Sequence, residues 1–174
     1  MNYFEFYGLP LSFYPDQAKL KALFFENSRK YHPDFFTQVT QEEQAEALKK
    51  SSYNNEAFRT LKNDDKRLHY ILTLTEALNE ENKNAIPQEF LMEMMDLNES
   101  VMELQFDYEE SKAILIMREI EDLQSSMESE VSSIMQAFSD NQDPSTLAPV
   151  KDYYLKSKYL MRLRDNISKL TSDQ

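Results

Sequence analysis

The chain has 174 residues, of which 41% are hydrophobic, and a formal net charge of −12 at neutral pH with a pI near 4.6. This acidic balance argues against nucleic acids and anionic membrane surfaces as partners, because both attract basic proteins. The absence of cysteine excludes disulfides, thiol nucleophiles and metal sites built on thiolates.

No apolar run approaches the roughly 20 residues of a membrane span. The N-terminal sequence "MNYFEFYGLP" lacks the basic and apolar regions of a secretory leader. These features predict a cytoplasmic protein with no membrane partner.

A single glycine, six prolines and long segments rich in Leu, Glu, Lys, Met and Gln predict an all-α fold. A short aromatic helix, "YFEFY" at 3–7, is followed by Gly8, a residue typical of helix C-termini. Asp16 is a good N-cap for a second helix, which Pro33 ends because the residue before a proline is pushed out of the α region.

The third helix is predicted to open with a capping box formed by Thr40 and Glu43. The apolar side predicted for this helix consists of Leu48, Phe58 and Leu61. The sequence "NDD" at 63–65 predicts the start of a fourth helix.

The polar stretch 76–87 is predicted to be a linker between an N-terminal domain, residues 1–75, and a C-terminal domain, residues 88–174. Apolar spacings of three and four predict long helices at about 88–106 and 109–138, and another after the loop 139–149. Short loops between long amphipathic helices predict an antiparallel three-helix bundle.

The segment "RKYHPDFF" at 29–36 contains one of the chain's two histidines. Proline fixes its own φ and forces His32 into an extended backbone, so the corner holds an imidazole and the Asp34 carboxylate outward. A catalytic dyad would need a nucleophile within reach, and a metal site would need three or four ligands. The third interpretation is a rigid tip that docks on another protein.

Residues 1–75 resemble a J-domain, with an amphipathic helix ending in "KYHPD", a loop and a capped helix that contains "NEAF". The family signature falls on His32, Pro33 and Asp34. The resemblance implies that this loop and the basic face of the second helix dock on a heat shock protein 70 family chaperone and stimulate its ATP hydrolysis. The steering charges that it implies are Lys19, Lys21, Arg29 and Lys30.

The chain departs from the J-domain pattern at three residues in two places. Many J-domains have a basic pair where this chain has Phe25 and Glu26, and a basic residue after the aspartate where it has Phe35. The departures imply docking that depends less on charge, or docking tuned to one specialised chaperone.

The helix predicted at 88–106 has two apolar sides. The first is a core stripe of Phe90, Met94, Leu97, Val101 and Leu104. The second is an arc of Leu91, Met92, Met95, Met102 and Phe106, bordered by Asp96, Glu99 and Glu103. The arc is either further core or a surface that receives a partner, for which methionine and a charged rim are typical.

The whole layout resembles the HscB family of co-chaperones in iron–sulfur cluster biogenesis. The match includes the N-terminus, the pattern "R..YLL" from Arg67, and "FLME" at 90–93. The resemblance implies that the bundle holds an IscU-type scaffold protein and hands it to an HscA-type chaperone. The scaffold-binding positions that it implies are Leu91, Met92, Met95, Asp96, Glu99, Glu103 and Tyr159.

This interpretation describes a monomer with no catalytic residue, metal or cofactor. The alternatives are a generic J-domain adaptor for an unrelated client, a helical hydrolase using His32 and Asp34, and a structural oligomer built on the methionine arc.

Overall fold

The structure is a computed structural model that describes residues 1–36, 39–78 and 85–172. These residues are largely helical and contain no strand, which confirms the predicted all-α fold. The α-helices are α1 (Tyr3–Tyr7), α2 (Gln17–Lys30), α3 (Gln41–Lys62), α4 (Asp64–Leu74), α5 (Gln88–Glu93), α6 (Met95–Phe106), α7 (Glu110–Asn141) and α8 (Ala148–Ser172). None of the described helices is long and apolar enough to cross a membrane.

The predicted helix termini are set by short-range hydrogen bonds. Gly8 ends α1 in the left-handed region, at φ 61°. The Asp16 side chain accepts from the Lys19 amide, as an N-cap does. Thr40 and Glu43 form both bonds of the predicted capping box.

Arg67 lies buried among the four N-terminal helices, with only 4% of the residue exposed. Its guanidinium donates to the carbonyls of Phe13 and Leu61, both at 2.7 Å, and also pairs with Asp64. Arg67 therefore ties the α1–α2 loop and the end of α3 to the start of α4, and satisfies two buried carbonyls.

A second buried polar network joins α1 to the α2–α3 hairpin. The Tyr7 hydroxyl donates to the Asn54 side-chain oxygen at 2.8 Å. The Asn54 amide in turn donates to the Phe24 carbonyl and to the Ser28 hydroxyl. Burial raises the pKa of the Tyr7 hydroxyl, so it remains a donor at neutral pH.

Helices α7 and α8 form a long antiparallel hairpin with a separate hydrophobic core at each half. In one half, α6 completes the predicted three-helix bundle. The buried residues of this bundle core are Phe90, Met94, Leu97, Val101, Leu104, Ala113, Ile116, Ile120, Leu160, Leu163 and Ile167.

In the other half of the hairpin, the N-terminal helices take the place of the third helix. The hairpin residues of this shared core are Val131, Met135, Phe138, Leu147 and Val150. The Phe13 and Phe138 rings lie 5.4 Å apart, and the Ser12 and Ser139 hydroxyls are joined by a 2.7 Å hydrogen bond. The N-terminal helices and the hairpin are therefore packed into one body.

The predicted linker, 76–87, includes residues 79–84, which lie outside the described residues. On its near side, Leu78 donates a backbone hydrogen bond to the Leu72 carbonyl and packs against the shared core. On its far side, Ile86 packs against the bundle core. The division into domains at this stretch stays a prediction.

Two details of the predicted helices are wrong. Leu48 is exposed instead of lying on the apolar side of α3, where Ala47, Asn54 and Ala57 are buried. The helix predicted at 88–106 is interrupted at Met94. Met94 has φ −84° and ψ 4°, and its carbonyl accepts from both the backbone amide of Asn98 at 2.9 Å and the side-chain amide of Asn98 at 2.6 Å.

Candidate functional site

The His-Pro-Asp corner is an exposed turn between α2 and α3. Helix α2 ends at Lys30, and the residues from Pro33 to Phe36 form one turn of 3₁₀ helix that packs against α3. His32, Pro33 and Asp34 are all exposed, so both polar side chains are open to a partner.

The hydrogen bonds at this tip fix how the imidazole is presented. The Asp34 backbone amide donates to His32 Nδ1 at 3.3 Å, which makes Nδ1 the acceptor and leaves Nε2 as the donor of a neutral imidazole. The Asp34 carboxylate lies 3.6 Å from Nδ1, too far for a good hydrogen bond. In a catalytic dyad the carboxylate would instead accept from Nδ1–H, so this geometry favours docking over catalysis.

The second histidine does not join the first. His69 lies on α4, where its ring packs 5.7 Å from the Tyr154 ring of α8. Among the residues that the structure describes, no three His, Asp or Glu side chains come together in a way that could hold a metal ion.

The four predicted steering charges lie on α2 or at its end, and all four are exposed. Lys21 and Arg29 are eight residues apart, which is two steps of four, so both lie on one side of α2. Lys19 and Lys30, about three turns apart, share a different side of α2 that is nearly opposite Lys21. None of the four forms an ion pair within the described part of the chain.

The apolar arc on α5 and α6 is a surface, not core. Leu91, Met92 and Met95 are exposed, Met92 at 63%, while every residue of the predicted core stripe is buried. The interruption at Met94 falls between Met92 and Met95, so the predicted scaffold-binding positions lie on two successive helices.

An acidic rim borders this apolar surface. Asp96, Glu99 and Glu103 are exposed on α6. Within the described residues, no lysine, arginine or histidine lies within ion-pair distance of these three carboxylates. Their charge is therefore available to a basic partner.

Tyr159 of α8 lies beside α5 and α6, as its predicted membership of the same site requires. Its hydroxyl is within 2.5 Å of the Asn98 side-chain amide, and its ring packs edge-on against Phe90 at 5.8 Å. Asn98 was missed by the sequence analysis, although it holds Tyr159 in place. The one feature of the sequence that could have indicated Asn98 is its position four residues after Met94, at the border of the core stripe.

Comparisons with known proteins agree with this architecture. The model of the family described as "HSCB C-terminal oligomerisation domain" matches residues 86–168. A co-chaperone protein HscB homologue of Vibrio vulnificus is 30% identical over 171 residues, which cover 96% of this chain and 95% of that protein.

The homologue of Vibrio cholerae serotype O1 is 34% identical over 102 residues, and this match spans 58% of the chain and 60% of the relative's length. The crystal structure of the human co-chaperone protein HscB superimposes with a TM-score of 0.75 at 27% identity, over 97% of this chain and 81% of the human one. A full-length match at this identity, with the same fold, establishes the family. The chain belongs to the HscB family of co-chaperones.

Proposed function

We propose that the chain is a two-ended adaptor, monomeric and cytoplasmic, that binds an IscU-type iron–sulfur scaffold protein and delivers it to an HscA-type chaperone. The tip of His32, Pro33 and Asp34, with the cations of α2, docks on the chaperone and stimulates its ATP hydrolysis. The scaffold occupies the apolar surface of α5 and α6.

The observation that carries this proposal is the exposure of Leu91, Met92 and Met95 beside unpaired carboxylates. Exposed apolar side chains that cluster within a polar rim are typical of a protein interface. This surface lies on the bundle half of the hairpin, whereas the histidine tip belongs to the helices packed on the other half. Two partners can therefore bind at the same time.

The two surfaces use different physical interactions. Burial of Leu91, Met92 and Met95 stabilises the scaffold complex by roughly 1–3 kcal/mol for each side chain that is fully desolvated. The acidic rim speeds and orients the encounter with a basic patch. At the tip, His32 Nε2–H is a donor and the Asp34 carboxylate is an acceptor for a chaperone cation, best an arginine.

Single-turnover ATP hydrolysis by an HscA-type chaperone tests the adaptor directly. We expect the chain alone to raise the rate, and the chain with scaffold to raise it by more than the product of the two separate effects. Stimulation that scaffold does not change would favour a generic J-domain adaptor with another client.

Met92→Ala is expected to weaken scaffold binding by roughly 5- to 100-fold, because the variant loses most of one apolar side chain that the complex would bury. Calorimetric titration with the scaffold measures the change. Ile114→Ala is the matched control, since Ile114 is 61% exposed but lies on α7. Equal losses from both variants would place the scaffold elsewhere on the bundle.

A further inference from the structure

One exposed side of α2 carries an aromatic ring between two cations. Lys21, Phe25 and Arg29 follow each other at intervals of four residues, so they form one row along the helix. Phe25 is 49% exposed, and its ring contacts the ring of its chain neighbour Phe24 at 5.4 Å. The middle of the basic row is therefore apolar.

A second ring stands at the tip itself. Phe35 is 71% exposed and lies directly after Asp34 in the 3₁₀ turn. Its ring meets the His32 imidazole edge-on at 6.1 Å. Single exposed apolar residues are ordinary, but here two rings lie within the surface that the proposed function assigns to the chaperone, each next to charged side chains.

We propose that Phe25 and Phe35 are the apolar anchors of this docking surface and determine which chaperone the chain accepts. The partner is an HscA-type chaperone whose docking face offers an apolar depression with an acidic rim, which receives the rings while its carboxylates meet Lys21 and Arg29. The inference rests on the proposed function and deepens it, because aromatic side chains and arginine are enriched in protein interfaces.

Replacing each ring by lysine distinguishes apolar from electrostatic docking, because the two predict opposite changes in the affinity for the chaperone. Phe25→Lys and Phe35→Lys add positive charge to a basic surface, which would strengthen docking driven by charge alone. With apolar anchors, each variant lowers the apparent affinity for the chaperone roughly tenfold or more. Stimulated single-turnover ATP hydrolysis, titrated with each variant, measures this affinity.

Two controls complete the test. Leu115→Lys places the same charge at a residue of similar exposure, 65%, on α7, and leaves stimulation unchanged. Phe25→Leu and Phe35→Leu keep an apolar side chain and retain affinity within about threefold. If the Phe→Lys variants stimulate the chaperone as well as the wild type or better, this inference is wrong but the proposed function stands. If the wild-type chain stimulates no HscA-type chaperone, the proposed function is wrong as well.

Discussion

Replacing His32 by glutamine is expected to return the ATP hydrolysis of an HscA-type chaperone to its unstimulated rate. The imidazole accepts from the Asp34 amide at Nδ1, which leaves Nε2–H as a donor, and glutamine lacks the rigid ring that fixes this arrangement. Loss of a desolvated polar contact of this kind costs about 2 kcal/mol or more, which corresponds to roughly 30-fold in affinity.

The same variant is expected to bind the scaffold with an affinity within about twofold of wild type, because distant sites with no shared partners behave independently. Calorimetric titration with the scaffold and single-turnover hydrolysis, run on one preparation, measure both properties. A large loss of scaffold affinity in His32→Gln would contradict the separation of the two surfaces.

The variant Arg67→Met is expected to lower the free energy of unfolding by about 3–5 kcal/mol. Methionine fills much of the same space but donates no hydrogen bond, so the carbonyls of Phe13 and Leu61 stay buried without their present donor. Since Phe13 also packs against Phe138, the loss extends to the shared core.

Urea unfolding followed by circular dichroism measures the effect. Arg59→Met is the control, because Arg59 is exposed on α3 and surface substitutions of this kind change stability by about 0.5 kcal/mol or less. Similar midpoints for the two variants would show that the buried guanidinium adds little to stability.

The features predicted correctly from the sequence are those that short-range interactions determine. Caps at Asp16 and Thr40 and the stop at Gly8 each depend on residues within one turn, so a local pattern is sufficient. The core stripe that runs from Phe90 to Leu104 follows from helical periodicity, which fixes the faces of a helix, but periodicity left open whether the arc beside it was core or surface. The positions of the arc were therefore predicted from the sequence, whereas their exposure is a finding of the structure.

Features that depend on distant packing were not predicted. Periodicity assigned Leu48 to the core, but the neighbouring helices instead cover Ala47 and the polar Asn54. Asn54 is buried because Tyr7 and Ser28 satisfy its amide, a tertiary arrangement with no local signal. The interruption at Met94 has no proline or glycine beside it, which are the residues that usually mark such a break in a sequence.

The two hydrophobic cores lie at a fixed distance from each other along one helical hairpin. Ile116 in the bundle core and Met135 in the shared core lie on the same α-helix, and a rise of 1.5 Å per residue places them about 28 Å apart. Under the proposed function, this helical rise, and not the length of a flexible tether, would set the distance between the scaffold and the chaperone. The effective concentration of a tethered ligand depends steeply on whether the tether can span its two binding sites. The proposed function therefore implies that a client held at this fixed spacing would reach one particular part of the chaperone.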